Sequence, residues 1–227
     1  MLIGILQTGH TPDEMRPAVQ NYAQLFERFL GGQGFTFRTW NVVDMDFPED
    51  IHAADGWLIT GSKHGVYEDH AFIPPLEQFI REATEADVPL VGICFGHQII
   101  AQALGGTVEK FQGGWAVGNQ TYDWQGETLA LNAWHQDQVV VAPAGAVRLA
   151  TNAFCENAAL VYGRKAFSVQ PHPEFDSDFI DGLATHRAPG VVPDAQIAEA
   201  KAALGKSNDN ARLALMVGRF FKERVVA

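Results

Sequence analysis

The residues best suited to chemistry lie in the segment Pro89-Leu90-Val91-Gly92-Ile93-Cys94-Phe95-Gly96-His97-Gln98-Ile99-Ile100. An apolar β-like run, Val88 to Ile93, stops at Cys94, and a helix-like run begins directly after it. Gly92 and Gly96 flank the cysteine, and glycines permit the sharp strand-to-helix turn that lifts an apex side chain above a sheet. The free N–H groups of a helix N-terminus face the same point, and the positive end of the helix dipole favours a thiolate there. The pattern reads as a nucleophile. The competing reading is a buried core cysteine, since free Cys behaves as a small hydrophobe. Further along, Phe167-Ser168-Val169-Gln170-Pro171-His172-Pro173-Glu174-Phe175 is a second short β-run. It ends in a histidine between two prolines, with a carboxylate two positions on. A thiol nucleophile needs a base, and the base needs a third group to fix its tautomer and orientation. His172 and Glu174 have the right chemistry, and the prolines restrict the backbone that presents them. Alone, His-Pro-Glu reads as a surface loop; pairing with Cys94 gives it weight.

Together, Gly92-Ile93-Cys94-Phe95-Gly96-His97-Gln98 and Pro171-His172-Pro173-Glu174 resemble the class I (triad) glutamine amidotransferase domain. That family's signatures are G-x-C-x-G-x-Q and H-P-E, and both are complete here and in order. The resemblance extends over about residues 1–185. It implies that Cys94 attacks the γ-carbonyl of glutamine or a γ-glutamyl substrate. His172 would take the thiol proton and pass it to the leaving amine, Glu174 would orient His172, and water would release glutamate from a γ-glutamyl thioester.

Acyl transfer through sulfur creates an oxyanion, for which preorganised backbone donors are the usual stabiliser. One expected donor is the N–H of Phe95. The second should come from a Gly-containing loop at the carboxyl end of a neighbouring strand. Thr60-Gly61-Ser62-Lys63-His64-Gly65-Val66-Tyr67 follows such a strand and resembles the family's oxyanion loop, which makes Gly61 the candidate. An ordinary βα turn is the alternative. Gln98 matches the family's glutamine-contacting position, although helix logic makes it only a polar first-turn residue. Ala133-Trp134-His135-Gln136-Asp137-Gln138-Val139 resembles the loop that holds a substrate's α-amino and α-carboxylate groups, so His135, Gln136 and Asp137 are candidate binding residues. Trp134 and His135 also read as rim packing. His10, His52, His70 and His186 lack ligand spacing with one another or with Cys or carboxylate partners, so no metal is expected. Neither G-x-G-x-x-G nor a P-loop occurs, and no nucleotide or other cofactor is expected.

These side chains must be held by a fold, and the chain alternates strand-like and helix-like runs. Leu2–Leu6, Phe35–Trp40, Gly56–Thr60 and Val88–Ile93 read as hydrophobic strands. Helices are read at Met15–Leu30 (with Val19, Tyr22, Leu25, Phe26, Phe29 and Leu30 on one face), at Phe72–Ala86 and at His97–Leu104. From Thr107 to Val169 the pattern changes to short strands separated by turns: Ala116–Asp123, Thr128–Ala133, Arg148–Thr151, Ala159–Tyr162 and Ala166–Val169. The tail is helical, with breaks near Pro189–Pro193 and Gly205–Asn210. This predicts an α/β fold: an open, mostly parallel, flavodoxin-like sheet flanked by helices, a small antiparallel β layer and a helical C-terminal tail. A length of 227 residues, 47% hydrophobic, suits a single domain spanning 1–227, with the extension at about 176–227.

Composition narrows the partners. Net charge is −11, from 27 acidic and 16 basic residues, which argues against nucleic acid and anionic membrane surfaces. No apolar run approaches the roughly 20 residues of a membrane span. Met1–Leu6 lacks a basic leader and reads as a core strand, and Cys94 and Cys155 read as reduced thiols, so a cytoplasmic protein is expected. The leaving group stays open. Either an ammonia-accepting synthase partner consumes the product, or the protein is a self-contained hydrolase that discriminates leaving groups near Lys63–Tyr67 and Trp134–Gln138. A non-catalytic binding protein on the same scaffold, and a cysteine hydrolase or redox sensor with a similar elbow, are the readings from other classes. The complete Cys-His-Glu set weighs against both.

Overall fold

The computed structural model describes residues 1–17 and 21–226. Its strands are β1 (Leu2–Leu6), β2 (Thr36–Trp40), β3 (Gly56–Ile59), β4 (Leu90–Ile93), β5 (Thr107–Lys110), β6 (Ala116–Trp124), β7 (Glu127–His135), β8 (Asp137–Val141), β9 (Val147–Thr151), β10 (Ala159–Tyr162) and β11 (Ala166–Val169). The helices are α1 (Tyr22–Phe29), α2 (Ile73–Glu85), α3 (Phe95–Ala103), α4 (Ser177–His186), α5 (Asp194–Ala202) and α6 (Asn210–Glu223). One sheet runs in the order β2-β1-β3-β4-β11-β10-β9-β6-β7. The pairings from β2 through β11 are parallel. Those from β11 outward are antiparallel.

The central strands β3, β4 and β11 are buried at every position, because helices cover both faces. On one face α2 and α3 pack Leu76, Phe79, Ile80 and Phe95 against Trp57. Trp40, Trp57 and Phe79 form an aromatic run, with ring centroids 5.1 and 4.9 Å apart. On the other face α1 and α6 bury Phe26, Phe220 and Phe221 with Ile3, Ile5 and Phe167. Each such side chain contributes about 1.5–3 kcal/mol when taken fully out of water. Among the described residues, no helix is long and apolar enough to cross a membrane.

The open, mostly parallel sheet agrees with the sequence reading, with three differences of detail. Most of the antiparallel strands continue the main sheet; the separate antiparallel layer is only the pair β5-β8. Those two strands escape pattern reading because β5 offers one buried apolar residue, Val108, which is too little for a period-two signal. The first helix starts at Tyr22, not Met15: the Asn21 side chain caps it by accepting from the Gln24 N–H at 3.0 Å, and Asp13–Met15 is a separate 3₁₀ turn. Val19, expected on that helix's apolar face, lies outside the described residues. Strand β4 begins at Leu90, since Pro89 has no N–H to give to a ladder.

Candidate active site

The backbone turns sharply at the junction between β4 and α3. Cys94 sits there with φ 53° and ψ −103°, a left-handed conformation that costs a non-glycine residue about 1–3 kcal/mol. The strain falls on the cysteine itself, and the flanking glycines serve a different purpose from the one expected. A Cβ on Gly92 would lie 2.3 Å from the Gly96 carbonyl oxygen, and one on Gly96 would lie 2.2 Å from that of Ile59. Both are required by close approach of chains. The elbow is pinned by neighbouring strands: the Cys94 N–H donates to Val169 O at 2.9 Å, and the Gly96 N–H donates to Thr60 O at 3.1 Å. Phe95 opens α3, so its N–H has no acceptor within the helix.

Parallel pairing of Val169 with Ile93 brings the end of β11 beside the elbow, and His172 follows three residues later. His172 Nδ1 lies 2.7 Å from Glu174 Oε1, and Cys94 and His172 line the same cleft. With Nδ1 committed to Glu174, Nε2 is the nitrogen left for the thiol. The loop holding this imidazole is clasped by Asn132 of β7. The His172 N–H donates to Asn132 O at 2.7 Å, and Asn132 Nδ2 donates to Phe175 O at 2.9 Å. The Phe175 ring stacks on the imidazole at 4.0 Å between centroids and 3° between planes. The His172 and Glu174 side chains are only 6% and 1% exposed, so their attraction is poorly screened. Burial by itself lowers the imidazole, but Glu174 and Cys94 outweigh it and raise His172 to about 10. The imidazole is therefore held protonated at neutral pH. Cys155 is buried in the same core cluster, and burial, followed by the nearby Cys94, pushes its thiol up to about 12.

Cys94 opens into a cleft of about 650 Å³ that also receives Gly61, Gln98, His135, Gln136, Asp137, His172 and Glu174. Every expected site residue except Phe95 thus lines one cavity, and Phe95 adjoins it. Gly61 lies against the imidazole: a Cβ there would be 2.8 Å from His172 Cε1 and 3.7 Å from Cys94 Cβ. The hydroxyls of Thr8 and Thr60 each donate to its carbonyl at 3.0 Å, which fixes the peptide plane. Gln98 is tied into the protein, since its amide donates to Asp137 O at 2.9 Å and to Gln170 Oε1 at 3.1 Å. It thereby anchors the start of β8 and leaves only its oxygen for a ligand. Gln136 donates to Phe111 O at 3.2 Å. The Tyr67 hydroxyl donates to Asp137 Oδ2 at 3.0 Å, linking the loop after β3 to the start of β8.

His135 is buried, and its Nδ1 lies 3.3 Å from the Asp137 carbonyl, which makes Nδ1 the donor and leaves Nε2 as a lone-pair acceptor. Burial, then the neighbouring His172, pushes this imidazole down to about 3, so it stays neutral. Nε2 has no partner within the described protein.

The cleft also holds residues that sequence reasoning did not assign to it. Tyr22, read there as a core face of a helix, lines the cavity, as do Arg187 at the end of α4 and the 10–16 segment. Burial and the nearby Glu174 and Cys94 raise the Tyr22 phenol. For Phe175 the adjacency to His-Pro-Glu was a usable signal; for Arg187 there was none. His70, read as lacking ligand spacing with Cys or carboxylate partners, lies 2.8 Å from Glu68 Oε2, and His64 lies 3.7 Å from the same oxygen. His10, read the same way, pairs with Asp44 at 3.0 Å.

A family model described as glutamine amidotransferase class-I matches residues 22–181. Gamma-glutamyl peptidase 4 of Arabidopsis thaliana is 31% identical over 188 residues, 75% of this chain and 75% of its own length. A glutamine amidotransferase-like protein of Schizosaccharomyces pombe is 28% identical over 97% of this chain and 98% of its own. A solved glutamine amidotransferase from Methylobacillus flagellatus superposes with a TM-score of 0.76 at 21% identity, covering 99% of this chain and 94% of that one.

Proposed function

The chain belongs to the class-I glutamine amidotransferase family, and from that premise we propose that it hydrolyses the γ-amide bond of γ-glutamyl compounds through a thioester on Cys94. The observation that carries the reading is the buried Cys94–His172–Glu174 arrangement at the floor of an open cleft. Cys94 Sγ bonds to the γ-carbonyl carbon, and the proton held on His172 passes to the departing amine as the C–N bond breaks. His172 then takes a proton from water, whose oxygen attacks the thioester; glutamate leaves and the thiol is restored. Glu174 keeps Nδ1 protonated and the ring in place. The Phe95 N–H and the Gly61 peptide are the donors proposed for the oxyanion, acting where water is largely excluded.

His135 Nε2, a buried acceptor without a partner, suits the α-ammonium group of the glutamyl moiety, which would satisfy both groups. A cleft of about 650 Å³ falls within the roughly 300–1,000 Å³ of small-molecule sites and leaves room for a leaving group larger than ammonia. The Arabidopsis relative's name, a γ-glutamyl peptidase, supports the same substrate class.

The deciding experiment measures glutamate release by the purified chain from glutamine and from a panel of γ-glutamyl amides and dipeptides. Turnover of a γ-glutamyl dipeptide by the chain alone is expected. Inertness toward the whole panel, with glutamine hydrolysed only once an ammonia-consuming synthase is added, would instead make the protein a synthase subunit.

A further inference from the structure

The segment joining β3 to α2 presents three side chains that no step of the proposed reaction uses. His64, Glu68 and His70 each offer one ligand atom, and these atoms all lie within 4.8 Å of one another. His70 Nε2 is 2.8 Å and His64 Nδ1 3.7 Å from Glu68 Oε2, and the two imidazole rings are 4.0 Å apart. Ligands about 2.1 Å from a tetrahedral zinc ion stand about 3.4 Å from one another, and the His–Glu separations of 2.8 and 3.7 Å bracket that spacing. Bringing the three atoms onto one ion asks for adjustments of side chains, not of the fold.

We propose that His64, Glu68 and His70 form a binding site for a divalent cation of the zinc class, with its remaining coordination position open to water or a ligand at the cleft. Two imidazole nitrogens and one carboxylate oxygen suit zinc and its late first-row neighbours, whereas magnesium and calcium prefer all-oxygen shells. The surroundings fit a ligand shell. Phe72 packs on both imidazoles, with centroids 5.9 Å from His70 and 6.0 Å from His64, and so limits water on that side. Backbone bonds from Glu68 N to Gly65 O and from Ile73 N to His70 O hold the turns that present the ligands. His64 and Glu68 also line the cleft that holds Cys94. The bound ion would therefore brace the stretch from Gly61 to Phe72, and Phe72 packs in turn on Phe95 at 5.9 Å, next to the nucleophile.

The test uses the full chain, free of any affinity tag and stripped with a chelator, titrated with zinc against a chromophoric competitor. One equivalent should bind, and magnesium should not compete. His64→Gln, Glu68→Gln and His70→Gln should each weaken zinc by at least the roughly 10- to 100-fold that loss of an outer-shell partner costs. Zinc also has affinity for thiols, so Cys94→Ser is the control and should leave the equivalent in place. Cobalt(II) substitution separates the sites in any variant that folds poorly: the proposed site gives ligand-field bands without a thiolate charge-transfer band. Binding that is lost in Cys94→Ser and kept in His70→Gln overturns the proposal, as does the absence of binding at millimolar zinc. Because the readout is metal binding, an inactive chain that binds zinc would refute the hydrolase reading while leaving this one standing.

Discussion

Gly61→Ala tests the geometry of the site with the smallest possible addition. The new Cβ would stand 2.8 Å from His172 Cε1, where ordinary contact needs at least 3.4 Å, so the atoms must part by about 0.6 Å. The imidazole cannot supply that movement cheaply. It is stacked on Phe175 and bonded to Glu174 at 2.7 Å, and the backbone N–H of His172 is held by the Asn132 carbonyl. The Gly61 side is equally fixed, since two threonine hydroxyls hold its carbonyl. Misplacing reacting groups by about 1 Å costs on the order of 100-fold in rate, so a displacement near half of that should lower kcat by about 10-fold. The overpacking itself should cost about 1–3 kcal/mol of stability. The assay is steady-state hydrolysis of a γ-glutamyl substrate, with a urea melt to separate stability from rate. A Gly61→Ala protein that is folded, with kcat and KM both unchanged, would refute the claim that Gly61 abuts the reacting groups.

Three further outcomes are expected. A glutamine-analogue electrophile should label Cys94 and leave Cys155 untouched, because burial holds the second thiol protonated; peptide mass mapping decides, and preferential labelling at Cys155 would remove Cys94 as the nucleophile. His172→Ala should lose far more activity than Glu174→Ala, and the double variant should be little worse than His172→Ala, since groups acting as a unit are non-additive; wild-type turnover in His172→Ala excludes the mechanism. The folded-state value of His172 is raised to about 10, above the roughly 6.5 of an unfolded histidine, so its contribution to stability is full below about pH 6.5 and is lost as pH rises through about 10. The difference in urea midpoint between wild type and His172→Gln should therefore shrink steadily over that window, and a difference that grows with pH contradicts the assignment.

What the sequence makes legible depends on how local the cause is. Cys94 and its strand-to-helix context can be read because the elbow, its two glycines and both flanking elements fall within one short continuous stretch, Leu90 to Ala103. The pairing of His172 with Glu174 is readable for the same reason. The role of Gly92 and Gly96 is not, because what forbids a side chain there is the approach of Gly96 to Gly92 and of Ile59 to Gly96 in space. Asn132 and Arg187 reach the site only through the placement of the β6–β7 hairpin and of α4, which no local pattern encodes. His64, Glu68 and His70 are close in sequence, yet their spacing marks a site only in an irregular turn whose path is set by the elements around it. Strand β5 went unread because Val108 is its only apolar residue, and its antiparallel partner β8 is short and half exposed.

The proposed nucleophile Cys94 and its proposed base His172 follow β4 and β11, adjacent strands whose paired residues Ile93 and Val169 are far apart in sequence. Parallel pairing over such a separation has a large loop-closure cost and forms slowly relative to local structure. Between the two strands the chain must also build the β6–β7 hairpin, because Asn132 supplies the clasp on His172. Thiol activation is thus a late event of folding. A partly folded chain carries an ordinary thiol without its neighbouring base, so labelling of Cys94 by a glutamine analogue during refolding should follow completion of the central sheet.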